Sequence, residues 1–470
     1  MSRRQVSGII VLVMGMIVGG CGSRQSAPIL DTAKEKSVTL HSTESTESET
    51  AYEIQNRVEN QKGPGPLIEV SVESEITDQA GLDGAWPQWF GPHRDGISPE
   101  TELLTEWPDE GPEMLWKVPG GPGFSALSVV HERLYTMVEE SGVARAICIN
   151  TENGERVWSV QVGDAFPGKG YEGPRSTPTV DEDRVYCMSP QGDLWCLQTD
   201  TGETIWHRNV LKDFETENII WGLSASPLIE ANMLLVNVGG PGASIVAFDK
   251  MNGAVIWQAH NDVASYASPI AINVGSVREI VFYAGKSLFG IGPLDGQRHW
   301  RFDWETTHDM NIATPLYDPE THLLFVSASR DTGRCSAYRL NEKNGTILAE
   351  HVYTSKVMKN HFNGCVLLDG YLYGFDNTIL KCLRLEDGQE MWADRSVGKG
   401  SLIAADGHLF LIGEQGVAGV AEASPEAYRE KGRRKILEFK SWTPPSLAEG
   451  VLYLRDQQHI TALNLRTDTP

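Results

Sequence analysis

A glycine followed four residues later by a tryptophan recurs along much of this 470-residue chain. The five pairs are Gly154/Trp158, Gly202/Trp206, Gly253/Trp257, Gly296/Trp300 and Gly388/Trp392. Gly345 keeps the glycine, but Ala349 stands where the tryptophan would be. Upstream of each pair lies a short β-rich run with a turn, as in STPTVDEDRVYCMS and ATPLYDPETHLLFVSA. A period of roughly 40–50 residues built from short strands indicates propeller blades rather than a helical repeat.

Eight copies of this unit can be aligned, and each supplies four β runs separated by turn residues. The sequence therefore predicts an all-β fold, an eight-bladed β-propeller of four-stranded antiparallel blades over residues 85–470. The eighth unit ends without an outer strand, whereas the segment around Trp116 is an outer strand without a blade. Because pairing the two would remove exposed strand edges, we expect this N-terminal strand to close the ring.

The repeated glycine and tryptophan have structural roles in this interpretation. Glycine permits a positive φ at the turn before the outer strand, and tryptophan offers a large face for packing between neighbouring blades. The tryptophans that we expect to dock blades, rather than to bind a cofactor, are Trp158, Trp206, Trp257, Trp300 and Trp392.

Three copies of the unit, CINTENGERVW, CLQTDTGETIW and CLRLEDGQEMW, resemble the repeat of the pyrroloquinoline-quinone (PQQ) propeller family. The opening WPQWFGPHRDGIS is similar to that of PQQ-like repeat proteins abundant in planctomycetes. The resemblance covers all but the first 84 residues. The family contains quinoprotein alcohol dehydrogenases as well as non-enzymatic scaffolds, the BamB-like envelope lipoproteins. The repeat therefore indicates the fold but does not choose between these activities.

The resemblance implies a specific set of residues for a quinoprotein dehydrogenase: adjacent cysteines, a calcium site and an Asp base. No two cysteines are adjacent in this chain, and no CxxCH haem site occurs. Asp309 and Asn311 come nearest to a calcium-and-base pair, but solvated loop residues are the simpler interpretation. We therefore assign no catalytic residue and no metal ligand, and we expect no cofactor. PQQ and calcium are implied only by the dehydrogenase alternative.

Residues that precede the inner strand of each blade are candidates for binding, because inner strands start at the mouth of the central channel. Cations and aromatic rings gather there on a chain that is acidic overall. The candidate channel-mouth residues are Phe124, Arg175, Trp221, Tyr266, His361, Phe362, Lys399 and Trp442. Such a mouth could bind an anionic or aromatic group, or an acidic peptide loop, through cation and stacking contacts. Alternatively, these side chains plug the channel and satisfy loop carbonyls.

Two cysteines lie on either side of one predicted hairpin turn. With a two-residue turn at Gln191 and Gly192, Cys187 would lie directly opposite Cys196. The sequence therefore allows a cross-strand disulfide between them in an oxidising compartment.

The N-terminus has the features of an exported lipoprotein. A positive start is followed by an apolar run too short to span a membrane, GIIVLVMGMIV, and by small residues before Cys21. We expect residues 1–20 to be a signal peptide and Cys21 to be lipidated. Residues 21–84 are rich in Ser, Thr and Glu, which predicts a disordered acidic tether.

Together these features favour a non-catalytic, lipid-anchored, monomeric scaffold that binds protein partners in the cell envelope. The resemblance implies BamB-like assistance in outer-membrane protein assembly and a place on the outer membrane, facing the periplasm. The formal net charge of −23 argues against nucleic acid as a partner. The alternatives are a PQQ-dependent alcohol or polyol dehydrogenase and a sugar- or polymer-binding module.

Overall fold

The structure, a computed structural model, describes residues 84–329 and 332–467. These residues form eight four-stranded antiparallel sheets with almost no helix. The sheets are the blades of a propeller, which confirms the all-β, eight-bladed fold predicted from the repeat. The predicted signal peptide, the lipidation site Cys21 and the tether up to residue 83 lie outside the described residues.

Each blade runs in chain order from an inner strand at the channel to an outer strand at the rim. The first strand of the chain is β1 (Met114–Pro119). Blade one comprises β2 (Ser128–Val130), β3 (Arg133–Glu140), β4 (Val143–Asn150) and β5 (Arg156–Asp164). Blade two comprises β6 (Thr179–Asp181), β7 (Arg184–Met188), β8 (Asp193–Gln198) and β9 (Thr204–Asn209). Blade three comprises β10 (Leu228–Glu230), β11 (Met233–Gly240), β12 (Ala243–Asp249) and β13 (Val255–Ala259), and blade four comprises β14 (Ile270–Val274), β15 (Val277–Tyr283), β16 (Ser287–Ile291) and β17 (Arg298–Asp303).

The second half of the ring has the same order. Blade five comprises β18 (Leu316–Asp318), β19 (Leu323–Ala328), β20 (Arg334–Lys343) and β21 (Thr346–Ser355). Blade six comprises β22 (Val366–Leu368), β23 (Tyr371–Asp376), β24 (Ile379–Arg384) and β25 (Glu390–Asp394). Blade seven comprises β26 (Gly400–Ala405), β27 (His408–Gly413), β28 (Val417–Glu422) and β29 (Glu430–Lys435), and blade eight comprises β30 (Ser446–Ala448), β31 (Val451–Arg455) and β32 (His459–Asn464). The helical elements are a one-turn helix, α1 (Val210–Asp213), and a 3₁₀ turn (Thr307–Asp309).

The ring closes through its N-terminal strand. Strand β1 pairs antiparallel with β32 and becomes the outer strand of blade eight, with Trp116 opposite Ala462. The closure predicted from the incomplete eighth unit is therefore observed. Because the two ends of the propeller share one sheet, blade eight has its full four strands.

The repeated glycine and tryptophan meet at the seams between blades. A Cβ on Gly202, Gly253 or Gly296 would lie 2.8 Å from the tryptophan ring of the preceding blade, so only glycine fits against that ring. The indole nitrogens then donate hydrogen bonds to carbonyls of the next blade: Trp116 to Thr151, Trp158 to Thr199, Trp206 to Lys250, Trp257 to Pro293 and Trp392 to Ser424. Where the pattern is present, the glycine that turns the chain in one blade therefore receives the tryptophan of the preceding blade, and the two residues dock the blades.

Blade five departs from this pattern. Its β20–β21 hairpin is ten residues long on each side, and Gly345 forms the hairpin tip with no heavy atom within 4 Å of a Cβ placed there. Trp300 is buried in a cluster with Ile347 of this hairpin, but it lacks the glycine contact. Tyr353 takes the docking role for the next seam, because its ring packs on Gly388 and its hydroxyl donates to the carbonyl of Leu385.

Hydroxyl side chains next to the recurring prolines link the inner strands around the channel. The Thr177 hydroxyl accepts a hydrogen bond from the main-chain N–H of Ala126 in the preceding blade. Ser226 accepts in the same way from Thr177, and Ser268 accepts from Ser226. The Ser/Thr-x-Pro and Ser-Pro phrases of the sequence therefore satisfy buried main-chain donors from one blade to the next.

Residues 84–98, named here the channel segment, enter the central channel from the end opposite its mouth. Hydrogen bonds join the segment to seven of the blades: Gly84 to Glu449, Trp86 to Val129, Pro87 to Val180, Arg94 to Pro227 and Pro269, Trp89 to Thr314, and Gly96 to Ala404. Phe90 is buried in the same hydrophobic cluster as Val366 of the remaining blade, blade six. The channel is therefore closed at this end.

The predicted disulfide between Cys187 and Cys196 is wrong. The turn that joins β7 to β8 contains three residues rather than two, because Ser189 rather than Pro190 pairs with Asp193. Cys187 consequently lies opposite Trp195, and Cys196 lies opposite Tyr186. A shift of one residue moves a side chain to the other face of the sheet, and both cysteines are free and buried in different hydrophobic clusters.

Candidate functional site

The structure brings all eight candidate channel-mouth residues into the lining of one cavity of about 340 Å³. They are Phe124, Arg175, Trp221, Tyr266, His361, Phe362, Lys399 and Trp442. The cavity also includes Trp89, Tyr171, Ser224, Ser268, Met310, Ile312 and Asn363. Trp89 belongs to the channel segment, so the cavity is the open end of a channel whose other end is closed.

The repeat explains why these residues meet. A loop from the outer strand of one blade leads to the inner strand of the next, and its last residues lie at the channel. Phe124 precedes the inner strand of blade one in this way, and Trp442 precedes that of blade eight. The equivalent position in the eight units therefore places eight side chains at the cavity: Phe124, Arg175, Ser224, Tyr266, Ile312, Phe362, Lys399 and Trp442. Trp221 and His361 lie beside this position in their loops.

Aromatic rings form a stacked column along one side of the cavity. Phe362 lies between His361 and Trp442, with centroid distances of 3.8 Å and 4.0 Å. Phe124 stacks on Trp442 at 5.2 Å, and Tyr171 packs on Trp442 at 5.1 Å. These rings come from four different segments that precede inner strands, so the column also links neighbouring blades at the mouth.

Two lysines lie against the faces of these rings. The ammonium of Lys399 lies 4.2 Å from the ring centre of Phe362, and that of Lys440 lies 4.5 Å from the ring centre of Trp442. Glu414 fixes the arrangement, since its carboxylate lies 3.5 Å from Lys399 and accepts a 2.7 Å hydrogen bond from the indole of Trp442. Cation–π contacts of this kind are strongest where water is excluded.

Arg175 is the largest cation of the cavity and is mostly buried. Its guanidinium lies 5.4 Å from the ring centres of both Phe124 and Phe166. It donates hydrogen bonds to the carbonyls of Gly173 and Tyr171 in its own loop. Burial lowers the pKa of Arg175 to about 10. Among the described residues no carboxylate pairs with Arg175, so its charge is balanced only by carbonyl dipoles and ring faces.

Tyr266 lies on the cavity wall contributed by blade four and is only 9% exposed. Its hydroxyl makes no well-formed hydrogen bond to the described residues, although the main chain of Trp221 approaches it. Burial raises the pKa of Tyr266 to about 12. The edge-to-face contact of its ring with Trp221, at 6.0 Å, holds the phenol in place.

The side chains that line the cavity carry positive charge only, although Glu414, which is not a lining residue, forms an ion pair with Lys399. None of the described residues that line it is Asp or Glu, whereas Arg175 and Lys399 are cations. A cavity with flat rings, cations and no lining carboxylate suits an anionic group attached to an apolar or aromatic body. Its composition suits a neutral sugar less well.

Sequence reasoning missed three contributors to this site. Tyr171 and Lys440 lie in interblade loops outside the repeated position, and Trp89 comes from the channel segment, far from the others in sequence. The only signal for Tyr171 was its place in the glycine-rich run GKGYEGP, directly before Arg175.

The residues present do not fit a calcium-bound quinone. The part of the chain that the structure describes has no group of three or more His, Cys, Asp or Glu residues arranged to hold a metal ion. Its six cysteines are buried, separate and free. The amide of Asn311 donates to the carbonyls of Ala284 and Gly285, so it is part of a buried network rather than a free ligand beside Asp309.

A family model described as outer membrane protein assembly factor BamB matches this chain over residues 108–215 and 143–394. These matches together span more than half of the chain. The BamB of Yersinia pestis is 24% identical over 272 residues, which are 55% of this chain and 65% of that relative. The alignment thus spans slightly less than two thirds of the relative's length.

Solved structures share the fold at low identity. BamB from Moraxella catarrhalis matches with a TM-score of 0.55 and 13% identity, covering 75% of this chain and all of the other. A quinohemoprotein alcohol dehydrogenase from Pseudomonas putida matches with a TM-score of 0.57 and 9% identity, covering 82% and 81% of the two chains. The repeat, the eight closed blades and the family match lead to one conclusion: this chain belongs to the BamB-like family of PQQ-like repeat β-propellers.

Proposed function

We propose that this protein is a non-catalytic scaffold of the cell envelope that binds protein partners during outer-membrane protein assembly. Membership of the BamB-like family supports this role. The lipobox-like sequence before Cys21 supports attachment to a membrane through a lipid, and the outer membrane is the site proposed by family resemblance. No helix within residues 84–329 and 332–467 is long and apolar enough to cross a bilayer.

The observation that carries the proposal is a set of exposed apolar side chains on the interblade loops, the loops that also supply the lining of the cavity. Tyr171, Ile220, Val263 and Phe439 are 37–38% exposed, and they lie on four different interblade loops. Interblade loops all emerge on the face that contains the cavity. Exposed apolar side chains on the same face as a binding cavity are typical of a protein-docking surface.

The dehydrogenase alternative has weaker support. The likeness to a quinohemoprotein alcohol dehydrogenase is at 9% identity and reflects the fold. The carboxylates expected for a calcium site and the adjacent cysteines are not present among the described residues that line the cavity, where Asn363 is the one amide side chain. A scaffold role needs neither.

A photo-crosslinking experiment in intact cells tests the proposal. A photoreactive phenylalanine analogue replaces Ile220 on the mouth face or, as a matched control, Leu348 on the outer strand of blade five. Both positions are exposed apolar side chains, at 38% and 44%. We expect Ile220 to capture outer-membrane β-barrel proteins or components of their assembly machinery, identified by mass spectrometry, and Leu348 not to capture them.

Two results would reject the proposed role. Equal capture at Ile220 and Leu348 would show that the mouth face is not the docking surface. Capture at Ile220 of proteins unrelated to the outer membrane would reject the assembly role even though the face binds protein.

A further inference from the structure

Two buried arginines, Arg94 and Arg455, and the half-buried Arg175 differ in how many hydrogen bonds the described residues offer them. Arg94 donates hydrogen bonds to Gln88 and to the carbonyls of Ser226, Pro227 and Pro269. Arg455 donates to Gly121, Ser125, Thr136 and Met137 through its two terminal nitrogens, while its Nε has no hydrogen-bond partner among the described residues. Arg175 donates only two hydrogen bonds, both to its own loop. A guanidinium has five N–H donors, so Arg175 retains more capacity for an external acceptor.

The loop of residues 165–174 positions this guanidinium at the cavity. A Cβ on Gly168 would lie 2.5 Å from the Arg175 guanidinium and 2.1 Å from the carbonyl oxygen of Tyr171. With φ of +47°, Gly168 adopts a conformation that side-chain-bearing residues rarely adopt. The close approach holds Arg175 against Phe124 and toward the cavity.

A second unsatisfied donor lies near Arg175. Tyr266 and Arg175 line the same cavity. Burial raises the pKa of Tyr266 to about 12. The Tyr266 phenol is 9% exposed and has no well-formed hydrogen bond among the described residues. A buried donor without an acceptor costs free energy, and an acceptor placed between Tyr266 and Arg175 would satisfy both.

A groove extends the cavity across the mouth face. It has a volume of about 710 Å³, and Phe124 and Tyr171 line both spaces. The groove is lined by Gly120 and Gly121, by Gln457 and Gln458, by the cations Arg156 and Lys440, and by three carboxylates, Glu139, Glu140 and Glu172. These carboxylates disfavour an acidic side chain in the groove itself and direct it to the cavity. The groove gives an extended main chain room to approach while one of its side chains enters the cavity.

We propose that the cavity is a carboxylate subsite for an acidic peptide segment of a protein partner. The carboxylate accepts hydrogen bonds from Arg175 and Tyr266, and a neighbouring aromatic side chain of the segment packs on Trp442 and Phe362. Charge selects the ligand, since none of the described lining residues would repel an anion. This inference rests on the proposed function, because it names what the mouth face recognises.

Calorimetric titration of the full-length chain in detergent tests the subsite. The probes are the blocked tetrapeptide acetyl-Gly-Phe-Glu-Gly-amide and its Gln counterpart, which differ only in charge. We expect the Glu peptide to bind about tenfold more tightly or more, because charge-assisted hydrogen bonds exceed neutral ones by this margin. Arg175→Gln should abolish the preference, and Tyr266→Phe should weaken Glu-peptide binding roughly threefold to tenfold.

A matched control separates a local effect from general loss of charge. Arg339 lies on β20 of blade five, away from the cavity, and donates to the carbonyl of Thr321. Arg339→Gln removes one positive charge, and we expect it to leave the preference unchanged. Tyr266→Phe removes only the hydroxyl and keeps the buried aromatic ring. Weaker peptide binding by this variant would therefore not be due to misfolding.

The outcomes distinguish the subsite from the scaffold role. Equal affinity for the two peptides, or an unchanged preference in Arg175→Gln, overturns the subsite. Arg175-dependent binding of pyrroloquinoline quinone without Glu-peptide binding overturns the peptide as the ligand and assigns a small aromatic carboxylate. A preserved peptide preference combined with failed crosslinking at Ile220 rejects the assembly role and keeps the subsite.

Discussion

At the closed end of the central channel, Arg94 donates four hydrogen bonds to side-chain and main-chain acceptors from the channel segment and two blades. At the mouth, Arg175 donates two, to its own loop, and faces a cavity. Burial lowers the pKa of both, to about 9 for Arg94 and about 10 for Arg175. The same residue type therefore tolerates burial in two ways, and only one leaves donors for a ligand.

The comparison shows how to separate structural from binding cations in a repeat protein. An arginine whose N–H donors all find acceptors on distant segments stabilises the fold. An arginine beside a cavity that leaves N–H donors without protein acceptors is arranged for an acceptor that the chain does not supply. Burial alone does not distinguish them. The hydrogen-bond inventory of each guanidinium does.

The largest expected effect is on stability at the closed end. Arg94→Met would remove the arginine donor from the buried carbonyls of Ser226 and Pro269, whereas the carbonyl of Pro227 would keep the hydroxyl of Thr179. We expect the free energy of unfolding to fall by roughly 3 kcal/mol or more, since each unsatisfied buried acceptor costs about 1–3 kcal/mol. Urea denaturation measures this loss.

Arg175→Met at the mouth is the matched comparison for Arg94→Met. It should lower the free energy of unfolding by about 1 kcal/mol or less, because its two carbonyl partners lie on a partly solvated loop. Equal losses for the two variants would break the distinction between the two ends.

Two glycine substitutions test the same difference in packing between the closed end of the channel and its mouth. Gly96→Ala places a Cβ 2.6 Å from Phe90 at the closed end, at φ of +77°. Gly170→Ala, in the mouth loop at φ of +90°, meets nothing within 4 Å. We expect roughly 3 kcal/mol of destabilisation for the first, from overpacking and backbone strain together, and about 1 kcal/mol for the second, from strain alone.

Thermal unfolding of the two glycine variants measures this difference. A loss for Gly170→Ala as large as that for Gly96→Ala would show that the mouth loop is as tightly constrained as the closed end.

The smallest expected effect on stability has the opposite sign. Tyr266→Phe removes a buried hydroxyl that lacks a well-formed hydrogen bond. The free energy of unfolding should stay unchanged or rise by up to about 1 kcal/mol, because a desolvation cost disappears. Equilibrium denaturation measures the change, and a clear loss of stability would reveal a structural partner for this hydroxyl.

The sequence was most informative where the repeat applied. Counting residues from each inner strand was enough to group Phe124, Arg175 and Trp442, although hundreds of residues separate the first from the last. Equivalent positions of a cyclic repeat converge on its axis, so local register predicts long-range proximity. The closing strand around Trp116 followed from the same logic.

Departures from the repeat were predicted poorly. The hairpin at Ser189 contains one more residue than its sequence suggested, and that single residue separated Cys187 from Cys196. In blade five, Tyr353 docks the next blade from a different offset, because the lengthened hairpin moves Gly345 away from the seam. Turn length and hairpin extension depend on contacts that no short pattern records.

The amino-acid sequence by itself determined the number of blades, the closure of the ring and the side chains that the repeated position brings to the channel mouth, because each is encoded by a repeated local pattern. Only the tertiary structure decided the role of the channel segment, since its partners lie in all eight blades and it shares no period with them. It also decided that Arg94 makes four hydrogen bonds within the protein whereas Arg175 makes two. Hydrogen-bond saturation depends on how many acceptors distant segments bring to one guanidinium, and that number exists only in the folded chain.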